Sequence, residues 1–220
     1  MGKKLIGRNV EYKALTNYFT SKGSEFIAVY GRRRVGKTFL VKQYFKNKFD
    51  FYTSGIYGLD LGEQLENFRV QLEMYANRPV KKLSSWFEAF GELRNYLSSL
   101  RKKRIIVFID ELPWHDTPKS NFVRALEAFW NMWGADQSQL KLIVCGSSTT
   151  WMTNTLLGDK GGLHNRVTRR IRLRPFTLRE TEQYLKRQGF SWSRFVVLQC
   201  YMILGGTPFY LSMLQGDKSL

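Results

Sequence analysis

Cysteine is scarce in this 220-residue chain, two residues in all, and that scarcity removes several classes of protein at once. Cys145 and Cys200 lie in apolar runs with no second cysteine or histidine at metal-ligand spacing, so buried free thiols are expected, not a disulfide framework or a zinc site. Long hydrophobic runs are missing as well. No stretch approaches the roughly 18 apolar residues of a membrane span. Met1-Gly2-Lys3-Lys4-Leu5-Ile6 is followed at once by Gly7 and Arg8 instead of a signal-peptide core, which predicts a cytoplasmic protein with no membrane partner. Internal repeats, low-complexity tracts and obvious flexible linkers are absent. Acidic residues are few: 18 Asp and Glu stand against 35 Lys and Arg, a formal net charge of +17, which favours polyanionic partners and nucleic acid first among them. The 43% hydrophobic content is enough for a sizeable core, as one domain or one domain with a small appendage.

The most informative feature present is the octapeptide Gly31-Arg32-Arg33-Arg34-Val35-Gly36-Lys37-Thr38. It is a complete G-x-x-x-x-G-K-[ST] phosphate-binding loop, in which glycines let backbone N–H groups converge on phosphate oxygens where side chains would not fit. Lys37 is expected to reach the β- and γ-phosphates of ATP or ADP, and the Thr38 hydroxyl to bind Mg2+. The apolar run Phe26 to Tyr30 reads as a buried strand before the loop. The stretch from Phe39 to Phe45 reads as the start of a helix whose positive end faces the anion, which is the context this motif requires.

Periodicity along the chain predicts strands at 26–30, 51–54, 105–109 and 140–145, with helices at 37–46, 60–76, 85–100 and near 119–132. Alternating helices and short apolar strands indicate an α/β fold with a mainly parallel sheet, whose ligands bind beyond the carboxyl ends of the strands. After Pro175 the pattern turns helical. Thr177-Leu178-Arg179-Glu180 has capping-box spacing, and a further helix over 193–204 stops at Gly205-Gly206.

Two motifs complete the candidate site. Ile105 to Ile109 delivers Asp110 and Glu111 to a strand end, a Walker B pattern in which Asp110 holds the Mg2+ shell and Glu111 orients the attacking water. The next strand ends in Gly146-Ser147-Ser148-Thr149-Thr150. Ser147 is the expected sensor of the γ-phosphate, the alternative being a turn whose hydroxyls cap the helix at Trp151. Arg101-Lys102-Lys103-Arg104 reads as a solvated lead-in to a strand. In the stretch holding Arg166, Arg169, Arg170, Arg172, Arg174 and Arg179, two readings stay open: a charge-protected edge strand and a nucleic-acid contact. Tryptophans at 86, 130 and 133 fit core-facing helix positions, and His115 reads as a structural or solvated loop histidine that lies near the nucleotide only by its closeness to Walker B.

Taken together, Ile6-Gly7-Arg8 with Glu11, GRRRVGKT at 31–38, FIDELPW at 108–114, CGSSTTWM at 145–152, the arginine-rich 161–180 and GGTPFYL at 205–211 resemble the prokaryotic archaeal-ATPase (ATPase-domain-2) family. This is an AAA+-like branch near the origin-recognition and STAND ATPases. The resemblance spans essentially the whole chain. It implies a P-loop NTPase core over residues 1–175, with a five-stranded sheet, and a partial helical lid over 176–220. It further implies that Gly7, Arg8 and Glu11 pass near adenine and ribose, that Phe39 joins the loop residues at the nucleotide, and that Pro208 packs against the base. Arg166 matches a family arginine that acts as a finger on a neighbouring subunit's γ-phosphate. Arg169 or Arg170 fits that role too, and a plain basic surface remains open. Family members continue into winged-helix and nuclease-like regions, whereas this sequence stops at Leu220, so a truncated form is expected.

The leading functional reading is an Mg2+-dependent ATPase or ATP-driven switch, slow without a partner. The alternative is a nucleic-acid-binding module in which nucleotide is a regulatory or structural ligand. A small-molecule kinase is disfavoured because Glu111 and the hydroxyl-ended strand suit water activation.

Overall fold

A short apolar strand buried on both faces needs helices above and below it, and the computed structural model shows that arrangement for the residues it describes, 5–158, 163 and 165–215. The elements in chain order are α1 (Asn9–Thr20), β1 (Glu25–Tyr30), α2 (Lys37–Tyr44), β2 (Phe51–Ser54), α3 (Leu61–Ala76), α4 (Trp86–Ser99), β3 (Ile105–Asp110) and α5 (Leu112–His115). They continue with α6 (Phe122–Met132), β4 (Leu140–Gly146), α7 (Thr149–Trp151, running into a π-turn over Met152–Leu156), β5 (Arg169–Arg172), α8 (Leu178–Arg187), α9 (Arg194–Leu204) and α10 (Pro208–Leu211).

The five strands form one sheet in the order β2-β3-β4-β1-β5, with every pair parallel. Side chains alternate along β1. Phe26 and Ala28 join Phe51, Val107, Ile109, Leu142 and Val144 against Leu65, Phe68, Trp86, Phe90, Leu126 and Phe129 of α3, α4 and α6. Ile27 and Val29 face the other way, with Phe108, Ile143 and Cys145, against Leu15 of α1 and Leu40 and Val41 of α2. The result is a three-layer α/β/α unit. A separate small cluster, Phe176, Leu185, Phe190, Val197, Cys200 and Leu211, forms the core of the α8–α10 region. Both cysteines are free and buried, as the sequence implies.

The sequence reading gave no helix over Asn9–Thr20, because that segment buries only Leu15 and carries no broad apolar stripe. The charge-protected edge strand read in the arginine-rich stretch is β5, which pairs with β1 over Arg169–Arg172. The cluster at 101–104 is more than a solvated lead-in: Lys102 pairs with the buried Asp50, and Arg104 Nε donates to the Phe19 carbonyl at 2.9 Å while its guanidinium lies over the Phe19 ring. Both basic side chains thus tether the start of β3 to neighbouring elements. The expectations attached to Met1–Lys4, Gly161, Gly162, His164 and Leu220 lie outside the described residues.

His115 is fully buried, stacked on Phe122 and edge-on to Trp86, and neither ring nitrogen has a hydrogen-bond partner among the described residues. Burial holds its pKa down at about 3, against an ordinary 6.5. The fold therefore accepts only the neutral ring. Its contribution is fully present above about pH 6.5 and is lost as pH falls toward 3, because the unfolded chain takes up a proton that the folded chain refuses. Replacing His115 with Leu should remove on the order of 2 kcal/mol of acid destabilisation between roughly pH 6.5 and 5. Denaturant unfolding of both proteins at the two pH values measures this, and identical pH slopes would contradict it.

Candidate nucleotide-binding site

The site lies where β1, β3 and β4 end. As β1 leaves the sheet, Gly31 adopts φ +146°, and a Cβ there would meet the Leu173 carbonyl oxygen at 2.1 Å, so only glycine fits beside the end of β5. The loop then turns through Arg34 (φ 69°) and Gly36 (φ 93°), and α2 begins at Lys37. Lys37 is only 5% exposed, and its Nζ donates to the carbonyls of Gly31 and Arg32, each at 2.9 Å. Burial lowers its pKa, partly opposed by Glu111, Cys145 and Asp110. Arg32, Arg33, Arg34 and Phe39 are exposed around the loop, and Val35 is buried beneath it.

Asp110 ends β3, 3% exposed, and its carboxylate faces Thr38 and accepts the Glu111 N–H at 3.0 Å. Burial pushes its pKa above the usual carboxylate range. No cluster of three or more His, Cys, Asp or Glu that would hold a metal by itself occurs among the described residues. Thr38 and Asp110 supply hard oxygen donors beside the lysine ammonium, a set suited to Mg2+ that takes its remaining ligands from phosphate and water. The residues thus fit both expected ligands.

Glu111 occupies the left-handed region, φ 45°, which turns it out of β3 into the N-cap of α5. Ser147, past the end of β4, donates its hydroxyl to Glu111 Oε2 at 2.8 Å. Ser148, not Ser147, does the capping: its Oγ accepts from the Trp151 N–H at 3.3 Å. Capping thus falls to Ser148, and the Ser147 hydroxyl is engaged with Glu111 instead.

The lid touches the loop directly. Arg34 donates to the Tyr210 hydroxyl at 2.8 Å and its guanidinium lies 4.6 Å from the Phe209 ring centre. A cleft of about 260 Å3 is lined by Arg32, Arg33, Arg34, Thr207 and Tyr210. Pro208 is the first residue of α10 at this junction. The N-terminal segment closes the third side. Arg8, 6% exposed and at φ 61°, donates to the Val35 carbonyl at 3.1 Å, lies 4.7 Å from the Phe176 ring centre and pairs with Glu11 at 3.6 Å. Its backbone N–H donates to Glu180 at 3.3 Å, and a Cβ on Gly7 would meet that same carboxylate at 2.6 Å. Arg8 thus bonds to the phosphate loop and stacks on the lid at once. Burial lowers its pKa, against the pull of Glu11 and Glu180.

The structure therefore brings together Gly7, Arg8, residues 31–39, Asp110, Glu111, Ser147 and Pro208, but not Arg166. Arg166 is exposed in the turn before β5, and β5 runs parallel to β1 from its Ile27 level to its Tyr30 level. The phosphate loop follows Tyr30, so Arg166 lies toward the opposite end of the sheet from this chain's own loop. Sequence reasoning missed Phe176, Glu180, Phe209 and Tyr210. The aromatic pair after Pro208 and the capping-box glutamate were visible signals, but what they touch was not.

The profile of a family described as an ATPase domain predominantly from Archaea matches residues 5–214. An uncharacterized protein of Methanocaldococcus jannaschii is 27% identical over 206 residues, covering 94% of this chain and 43% of that protein. Among solved structures, the Walker-type ATPase PABY2304 of Pyrococcus abyssi superposes with a TM-score of 0.68 at 17% identity, over 96% of this chain and 66% of its own. The Aeropyrum pernix ORC1 protein, solved in complex with DNA, gives 0.62 at 16% identity over 84% and 50%. A STAND protein with a tetratricopeptide repeat sensor from Pyrococcus horikoshii gives 0.62 at 17% identity over 99% and 31%. The chain thus spans less than half of its curated relative and a third to two thirds of these structures. At such identities the structures speak for the fold, a P-loop ATPase sheet. The profile match covers nearly the whole sequence, and with it this chain belongs to the family of ATPase domains found predominantly in Archaea.

Proposed function

We propose that this ATPase-family domain is an Mg2+-dependent ATP hydrolase that works as a switch, with hydrolysis coupled to the position of a lid formed by residues 176–220 on a core formed by 1–175. The Ser147–Glu111 hydrogen bond carries this reading. It joins the expected sensor to the expected water-orienting carboxylate, so one hydroxyl has two competing acceptors: Glu111 and the γ-phosphate oxygen of ATP. Transfer of the Ser147 hydroxyl to phosphate frees Glu111 to hold the attacking water, and loss of the γ-phosphate restores the resting pair. Lys37 exchanges its two carbonyl contacts for phosphate, a stronger charge-assisted bond. Thr38 and Asp110 would hold Mg2+, which would supply charge neutralisation at the phosphates. Arg34 and Arg8 carry the change at the loop to α10, Phe176 and Glu180. Turnover is slow until a partner supplies an arginine to the γ-phosphate.

The test is phosphate release from ATP with and without Mg2+, across protein concentration and with or without DNA. Mg2+-dependent release supports hydrolysis. Tight ATP binding with no release in any condition would overturn it and leave a nucleotide-loaded switch.

A second reading, nucleic-acid binding, draws on β5. Arg170, Arg172 and Arg174 are exposed on or beside this edge strand, while Arg169 is occupied by the buried Glu25. Binding through that edge would fall steeply with salt.

A further inference from the structure

The loop between β2 and α3, Gly55-Ile56-Tyr57-Gly58-Leu59-Asp60, carries apolar side chains outward on a backbone that is held unusually firmly. Gln64 is completely buried and uses both ends of its amide on Ile56: Nε2 donates to the Ile56 carbonyl at 2.6 Å, and Oε1 accepts the Ile56 N–H at 3.3 Å. Asn67 donates to the Ser54 carbonyl at 2.9 Å, and Asp60 and Glu63 close a capping box behind the loop. Gly55 is wedged so tightly that a Cβ would meet the Glu111 carbonyl at 2.7 Å. Yet Ile56 is 43% and Tyr57 80% exposed. A buried amide used to fix the backbone of an exposed apolar residue presents that residue; it does not merely connect a strand to a helix.

The surroundings define what the loop faces. The Tyr57 ring lies 5.9 Å from that of Trp114, and the Arg33 guanidinium lies 5.6 Å from the same indole, with Arg32 exposed beside it. An exposed tyrosine ring beside a half-buried indole and a guanidinium group matches a single-stranded nucleic acid, whose bases offer π faces for stacking while its phosphates take the arginine. A duplex hides those faces. The one carboxylate of the loop, Asp60, is occupied in its capping box. A net charge of +17 opposes a second copy of this chain on the same face and favours a polyanion.

We propose that Tyr57 and Ile56, with Trp114 and Arg33, form a stacking surface that binds single-stranded nucleic acid beside the nucleotide site. This surface is separate from the β5 edge, and binding to it is measured without ATP, so its failure and that of the hydrolase reading are distinguishable. Fluorescence anisotropy with a labelled oligo-dT, and with a duplex of equal length, tests it on the full chain at fixed salt. The single strand should bind more tightly than the duplex. Tyr57→Ser should weaken strand binding about tenfold, the scale of one lost base stack. Tyr57→Phe should keep it, and ATP affinity should be unchanged in both variants. Equal affinity for strand and duplex, or unchanged strand affinity in Tyr57→Ser, would overturn the proposal. So would a dimer that Tyr57→Ser dissociates without any effect on the strand.

Discussion

Glu111→Gln should lower Mg2+-dependent phosphate release by about 100-fold to 1,000-fold, within the range expected for loss of a positioned proton acceptor, and leave ATP affinity within a few-fold of wild type. The amide keeps the size of the side chain and an oxygen that still accepts from Ser147, which donates at 2.8 Å in the native site. The φ of 45° at this position is also retained, because the change lies beyond Cβ. What is lost is the negative charge that polarises water at the γ-phosphate. Steady-state phosphate release and equilibrium binding of ATP, measured on the same preparations, separate the two effects. Turnover that survives the substitution would remove Glu111 from the mechanism. Turnover and binding lost together would point to damage at the neighbouring Asp110.

Gly31→Ala should be the most damaging single-methyl change at the site. At φ +146° an L side chain is strained whatever space it has, and here the Cβ would also stand 2.1 Å from the Leu173 carbonyl oxygen, a backbone atom that cannot rotate away. Leu173 N–H donates to the Tyr30 carbonyl at 2.7 Å, so relief of the clash pulls β5 off β1 where the phosphate loop begins. A cost of about 3 kcal/mol or more is expected from strain and a broken junction together. ATP binding should fall as well, since the Gly31 carbonyl is one of the two acceptors that place Lys37. Gly36 is the internal comparison: its φ is +93°, but a Cβ there meets nothing within 4 Å. Gly36→Ala should cost only the backbone term, about 1 kcal/mol. Thermal or denaturant unfolding of the two variants measures the contrast, and equal stabilities would show that the Leu173 contact yields easily.

The phosphate loop, the Walker B strand, the hydroxyl-ended strand after it and the α/β class were legible from residue order alone. These features are local. A loop motif fixes its own geometry through covalent spacing and glycine, and an apolar run of five or so residues between helix-like segments has few ways to be buried. The capping box at Thr177 and Glu180 and the helix stop at Gly205 were legible for the same reason, each being set within a few residues. Which distant groups meet was set by the folded arrangement. Arg8 and Glu180 are 172 positions apart, and Ser147 and Glu111 are 36 apart, and neither pairing leaves a mark in periodicity or composition. The strand order β2-β3-β4-β1-β5 decided that Gly31 lies against Leu173 and that Arg166 falls toward the far end of the sheet from the nucleotide. Packing decided that His115, four residues after Glu111 and open to a role near the nucleotide, is sealed between Trp86 and Phe122 instead. Sequence spacing sets what a segment presents; the crossovers of a parallel sheet set what it is presented to.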